Sequence, residues 1–247
     1  MSSFTRSSLD AAGTARLDAL RAAPDSAGTL IYQGAVFAPG TNGDAPMFTY
    51  ERRVAPTATG LASAHITRDT GGEVILAESA QLTPDYALQR FDAANRQSGY
   101  SGTVVVSQGG RHLAYVLNEN GKLSTASEDV SDPVVSGPSL HGFVLHHWNA
   151  LAAGQRLAVR MIVLTKKETY GFHIRRSSEA NGRTAFTVTP SSLLVRLAVA
   201  PLTLTFDSST RNVVRYEGRV PPMQALDGKL KPLDARVEYV MQVAAYR

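Results

Sequence analysis

GTVVVSQGGRHLAYVLNENGKLSTAS, residues 102–127, reads as three consecutive strands joined by two tight turns. In its middle run Leu113, Tyr115 and Leu117 share one face, with His112, Ala114 and Val116 on the other. That period of two is what a half-buried strand requires. Gly109-Gly110 and Asn120-Gly121 separate the runs. Such pairs supply the positive φ angles of a two-residue hairpin, where a β-branched residue would clash. The segment is therefore a meander of antiparallel hairpins.

The same punctuation recurs along the chain at Asn42-Gly43, Gly71-Gly72, Asn181-Gly182 and Asp227-Gly228. Alternating runs flank most of these pairs. Before residue 102 they fall at Leu30–Phe37, Met47–Val54, Ala62–Arg68, Glu73–Glu78 and Ala87–Ala93. After residue 127 they fall at Arg156–Leu164, Thr169–Arg176, Arg183–Thr189, Leu202–Phe206, Val213–Val220 and Ala235–Ala244. Clean alternation, as in Tyr170, Phe172 and Ile174 against His173 and Arg175, marks a sheet with one apolar and one solvated face.

Two helices interrupt the strands. One spans about 138–153, with Pro138 in its first turn and Gly154 as its stop. Leu140, Phe143, Val144, His147 and Leu151 form its apolar stripe, with Trp148 on the flank. The other spans about 190–199, with Thr189 as N-cap and Pro201 as its stop. It is apolar nearly all round, Arg196 being its one charge. A helix of that kind needs cover on more than one side, and a concave sheet provides it.

These elements predict a mainly β (α+β) fold: a single long, strongly curved antiparallel sheet, half-barrel-like, with two or three helices packed in its concave face. Residues 1–28 form an N-terminal helical or poorly ordered segment, and 29–247 a single sheet domain. Ser7–Ala23 is the helical part, Ala-rich and short of large apolar side chains.

Composition narrows the function. Of 247 residues, 43% are hydrophobic and 19% charged, which suits a folded globule with a large core. The net charge of +4 comes from 25 basic and 21 acidic residues spread along the chain, so a nucleic-acid reading has no support. Cysteine is absent, which excludes thiol catalysis, Fe–S clusters and Cys-based zinc sites. Met1–Ala23 lacks the unbroken apolar core of a signal peptide, and no stretch is long enough to cross a bilayer as a helix. A periplasmic location therefore requires a leader already removed; otherwise the reading is cytoplasmic.

No catalytic signature stands out. His141 and His146 are five apart and His146 and His147 adjacent, so the helix cannot aim them at one metal ion. There is no Gly-x-Ser-x-Gly elbow and no phosphate-loop spacing. We expect no metal, no cofactor and no assigned catalytic residue. Arg160, Arg175, Arg215 and Arg219 are candidates for a basic face that meets an anionic partner.

The carboxyl-terminal half carries a resemblance. The Trp148 helix ending in Gly154, the following strands, the apolar Ser191–Val199 helix, Ala200-Pro201-Leu202 and the strand Asn212–Gly218 occur in that order. This resembles a group of uncharacterised bacterial proteins whose architecture is similar to that of the periplasmic lipoprotein-localisation carriers. The resemblance implies an apolar cavity between sheet and helices, suited to an acyl chain or a similar ligand. No lipid-contact residue of the carriers is carried over to a position here.

The expectation is a binding protein whose cleft is lined by Phe143, His147, Trp148, Leu151, Tyr170, Phe172, Leu194, Leu197 and Phe206. The alternative is an envelope structural or interaction protein in which side chains fill the same cleft. A third reading is a hydrolase using His147 or His141 with a nearby carboxylate.

Overall fold

The computed structural model describes residues 9–22, 28–40 and 45–243. The turn pair Asn42-Gly43 lies outside them. Among the described residues one sheet gathers fifteen strands. The first meander comprises β1 (Leu30–Phe37), β2 (Phe48–Thr57), β3 (Gly60–Arg68), β4 (Val74–Leu82), β5 (Leu88–Asn95), β6 (Tyr100–Ser107), β7 (His112–Glu119) and β8 (Lys122–Asp129). The second comprises β9 (Val134–Val135), β10 (Leu157–Val163), β11 (Glu168–Ala180), β12 (Arg183–Pro190), β13 (Leu202–Asp207), β14 (Val213–Leu226) and β15 (Lys229–Val243).

The two meanders meet at the chain ends. The first runs outward from β1 to one edge, β8; the chain then crosses to the opposite edge, β9, and works back until β15 pairs with β1. That central pairing is antiparallel from Leu30↔Val243 to Phe37↔Arg236. The expected antiparallel sheet is present, with one parallel exception between β9 and β10. Three turns foreseen from sequence adopt the paired left-handed conformation: Asn120-Gly121, Asn181-Gly182 and Asp227-Gly228 have φ of 50° and 82°, 53° and 69°, and 51° and 74°.

The sheet curls until its two edges approach without joining. Lys167 Nζ donates to Ser124 Oγ at 3.2 Å, and Thr169 Oγ1 donates to Glu128 Oε2 at 3.2 Å. Leu164, in the tight turn after β10, packs into the cluster formed by Leu113, Tyr115 and Leu117. Elsewhere Gln97 staples the β5–β6 turn to β14: its Nε2 donates to the Met223 carbonyl and its Oε1 accepts from the Met223 N–H, both at 2.7 Å. The β14–β15 register slips just before Met223, at Pro221 and Pro222. Prolines lack the ladder donor, so a bulge accommodates them.

Helix α1 (Ala11–Arg21) lies on the convex face rather than the concave one. Asp10 caps it through the Gly13 N–H at 2.7 Å. Its Leu17 packs on Ile66, Ala77 and Ala94, and its Arg16 bonds Asp92 at 2.8 Å. Residues 64, 66 and 77 alternate with 63, 65 and 78, which point to the other side of the sheet.

The concave face holds α2 (Gly137–His146) and α3 (Trp148–Ala152). Ser136 and Ser139 form a reciprocal cap, and Pro138 sits in the first turn. The expected single helix over 138–153 is broken at His147, whose φ of −94° and ψ of 16° fall outside the helical well. Gly154, with φ of 89°, ends the pair as foreseen.

The last helix overturns an expectation. It is shorter than predicted, α4 spanning Leu193–Ala198, while Thr189 and Pro190 remain in β12. It is not cradled by the sheet: Leu193, Leu194 and Leu197 are exposed, the latter two by 79% and 87%. Position in the chain explains this. Strands β12 and β13 are neighbours in the sheet, so α4 is a connection that leaves at the rim after Ser191 N–H bonds the Gly171 carbonyl. Val195 reaches back to the core.

Candidate functional site

Four strands place a polar row on the concave face. Register aligns Tyr32 of β1 with Arg52 of β2, Arg52 with His65 of β3, and His65 with Glu78 of β4. Directly opposed residues in adjacent strands share a face, so the four side chains point inward together. Two residues along, Tyr50 and Tyr239 flank Gly34, and their ring centroids stand 5.6 Å apart. A Cβ at Gly34 would lie 3.2 Å from both Tyr239 and Tyr50, so glycine permits that approach. The capped start of α2 then sets His141 above the row, 6.1 Å from the His65 ring and 6.0 Å from that of Tyr239. Gly137 lies beside the carboxylate, where a Cβ would be in van der Waals contact with Glu78 Oε2 at 3.4 Å.

These groups are buried and poorly satisfied. Arg52, His65, Glu78 and His141 are each 3–6% exposed. Arg52 Nε, His65 Nε2, Glu78 Oε2 and both ring nitrogens of His141 have no hydrogen-bond partner among the described residues. His65 Nδ1 stands 3.8 Å from Glu78 Oε2, near enough for electrostatic contact but too far for a hydrogen bond. Each unsatisfied buried polar group costs about 1–3 kcal/mol, so packing alone does not account for four such side chains in one place.

Burial also sets their protonation. It pushes the Glu78 carboxyl up to about 7. It holds His65 well below the usual imidazole range, with Arg52 and His141 adding to the effect. Burial first and Arg52 second do the same to His141. Near neutrality the site thus has two uncharged imidazoles and a carboxyl poised between its forms.

His65 and Glu78 of the row, with Tyr50, Tyr239 and His141, form one wall of a cavity of about 580 Å³; Tyr32 and Arg52 do not line it. Elsewhere the wall is mostly apolar, with Phe91, Leu140, Met161, Leu164, Phe172 and Leu202 facing the cavity, while Asn95, Ser98, Glu119 and Arg219 add polar groups. The volume falls within the range of small-molecule sites, and an apolar lining with a few convergent polar groups is their usual composition.

The residues nominated from sequence divide into four groups. Tyr170 and Phe172 line the cavity. Phe143, Trp148, Leu151 and Phe206 belong instead to the adjoining core, where Trp148, Phe186 and Phe206 stack edge-to-face at 5.1–5.8 Å. His147 lies at the α2–α3 break with its ring 4.4 Å from that of Phe143, and does not face the cavity. Leu194 and Leu197 point to solvent. The four arginines do not form a bare basic patch. Arg215 pairs with Glu238 at 3.2 Å, Arg219 with Asp234 at 2.8 Å, and Arg160 lies 3.9 Å from Glu128. Arg175 is exposed.

His65 and Glu78 escaped the sequence reading, yet a signal was present. Glu78 is the lone charge in a same-face series of Leu76, Ala80 and Leu82, all buried. Ser63, His65 and Thr67 make a polar series opposite the apolar Ala62, Ala64 and Ile66, and both series are buried. A polar strip on a strand buried on both faces is the mark of a lined cavity.

Among the described residues no group of three or more His, Asp or Glu side chains is arranged to hold a metal ion. Nor is any helix there long and apolar enough to cross a membrane. No protein-family model matches the chain, and no curated protein matches it. Similar solved structures include a thioesterase II-type protein from Thermobifida fusca YX, with 9% identity and a TM-score of 0.16. Another is an acyl-CoA thioesterase II, TesB2, from Mycobacterium marinum, with 11% identity and a TM-score of 0.15. Each alignment covers 94% of this chain and 86% of the other. At such scores neither the fold nor the activity of those proteins transfers here.

Proposed function

We propose that this protein binds an amphipathic small molecule, an acyl chain or a body of similar shape, with its apolar part in the cavity and its polar end at His65, Glu78 and His141. One observation carries the reading: a mostly apolar cavity of about 580 Å³ is bordered by His65, Glu78 and His141, whose buried polar atoms include four with no hydrogen-bond partner among the described residues. A ligand bearing a polar group would satisfy those atoms and cover the apolar wall in one step. The likeness to lipoprotein-localisation carriers drawn from the sequence agrees with this class of ligand.

The test is direct. Protein purified under native conditions is extracted with organic solvent and the extract analysed by mass spectrometry, while a fluorescent fatty acid is titrated into the delipidated protein. Saturable binding at one site per chain, or a stoichiometric co-purified lipid, supports the reading. An empty extract together with an unsaturable titration overturns it.

A second reading has its own support. A carboxyl poised near neutrality beside two uncharged imidazoles is also how acid–base enzymes are built. Turnover of a bound ester, lost in folded Glu78→Gln and His141→Ala variants, would favour it over simple binding.

A further inference from the structure

Resting on that reading of the cavity, we propose that its polar end recognises a carboxylate, and that the ligand's carboxylate and Glu78 hold one proton between them in the complex. The first argument is charge. Arg52 is buried on the same row and ion-pairs with no described carboxylate; its guanidinium lies 5.3 Å from the centre of the Tyr32 ring instead. Arg52 does not line the cavity, but its charge acts on His65 and His141, which do, so an anion between those rings offsets part of the cost of a buried cation without a counter-ion. Glu78 is two strands away from Arg52 and does not reach it.

The second argument is hydrogen-bonding capacity. A carboxylate only accepts, through about four lone-pair directions. The neutral imidazoles of His65 and His141 each carry one N–H, and neither is engaged on its unpartnered nitrogens. Tyr50 and Tyr239 line the same space, where a hydrogen bond between their side chains engages one of their two hydroxyl donors. An aldehyde or ester oxygen would leave more of these donors idle than a carboxylate would.

The third argument is proximity. Glu78 faces the cavity, so a ligand carboxylate seated there adds a second negative group to one buried site. Two carboxylates sharing such a site cannot both ionise, and one proton is retained. The groups facing Glu78 favour that outcome. They are Tyr50 from β2, His65 from β3, Tyr100 from β6, His141 from α2, Tyr216 from β14 and Tyr239 from β15. Glu119 and Arg219 also line the cavity. Arg52 acts on His65 and His141 from outside the lining and so offsets part of the single negative charge left after the proton is shared.

The experiment compares dansylundecanoic acid with the corresponding dansylated alcohol, between about pH 6 and pH 8.5, on the whole protein and on Glu78→Gln. Affinity of the wild type for the acid should fall about tenfold per pH unit above about pH 7, as one-proton linkage demands, with the alcohol unaffected. In Glu78→Gln the slope for the acid should vanish. Calorimetry of the wild type in two buffers of different ionisation enthalpy reads proton uptake on binding, and so serves even if the variant fails to fold. Saturable acid binding that is flat with pH, no proton uptake, or an unchanged slope in Glu78→Gln overturns the inference while leaving a binding cavity in place. No saturable binding of either probe overturns the cavity reading itself, and this inference with it.

Discussion

Helix α2 touches two neighbourhoods on the concave face, and they are built differently. On one side Phe143 and Val144 join Trp148, Phe186 and Phe206 in a core whose rings meet edge-to-face and whose members are nearly all inaccessible. On the other, His141 looks onto His65, Glu78 and a cavity. The two adjoin, since the His141 ring lies 6.5 Å from that of Phe206. Interlocking aromatic shapes fill space, whereas the imidazoles and the carboxyl keep unsatisfied atoms around a void. Close packing next door shows that this fold can fill its interior, so the void is a property of the residues placed there.

The largest expected effect tests the filled side. Phe186→Ala removes a ring with no accessible surface and should cost about 3–5 kcal/mol in a urea or guanidinium melt. A loss below about 1 kcal/mol would mean the core is looser than its geometry indicates.

The polar side should respond to pH instead. Glu78 binds its proton more tightly in the folded state, so between the ordinary carboxyl value and about 7 the native form holds more protons than the unfolded one. Stability from this group is therefore present at low pH and lost as pH rises through that window. His65 and His141, held low, contribute the opposite slope: their share is lost as pH falls below the ordinary imidazole value. Glu78→Gln removes only the first. The variant should gain about 2–3 kcal/mol on the wild type between about pH 5 and pH 8, measured by denaturation at each pH. A difference that does not change with pH would place Glu78 in water.

Filling the void sharpens the contrast. Met161 faces the cavity and is partly buried, so Met161→Trp should occupy ligand space. Binding of a fluorescent acyl probe should weaken by about tenfold or more while stability stays within about 1 kcal/mol, because the added volume enters a void rather than a packed core. Unchanged binding would move the ligand elsewhere. The smallest effect belongs to the rim. Leu197→Lys on α4 should shift stability by less than about 0.5 kcal/mol, since the side chain is 87% exposed.

How much of this was legible differs by element. Asn181-Gly182 and Asp227-Gly228 announced their hairpins because a positive φ pair is a local demand. Pro138 and Gly154 bracketed the concave helices for the same reason, although the break at His147 was not visible. Tyr170 and Phe172 were found through their alternation, which assigns a face before it is known what that face meets. Trp148 and Phe206 were placed on the correct side of the sheet but in the packed part of it. His141 was weighed as a metal ligand with its helical neighbours, whereas its real company, His65 and Glu78, comes from strands far away in the chain.

The amino-acid sequence by itself determined the hairpins, their turns, the alternation of faces and the greasy character of α4. Each depends on side chains a few residues apart, and local sterics and periodicity suffice. Only the tertiary structure decided that β1 zips to β15, that α4 rides the rim with its leucines in solvent, and that a carboxylate and two imidazoles share one cavity wall with an arginine buried on the neighbouring strand. Those outcomes depend on which distant segments become neighbours, and burial, which sets both the exposure of a leucine and the proton affinity of a glutamate, is a property of neighbours in space.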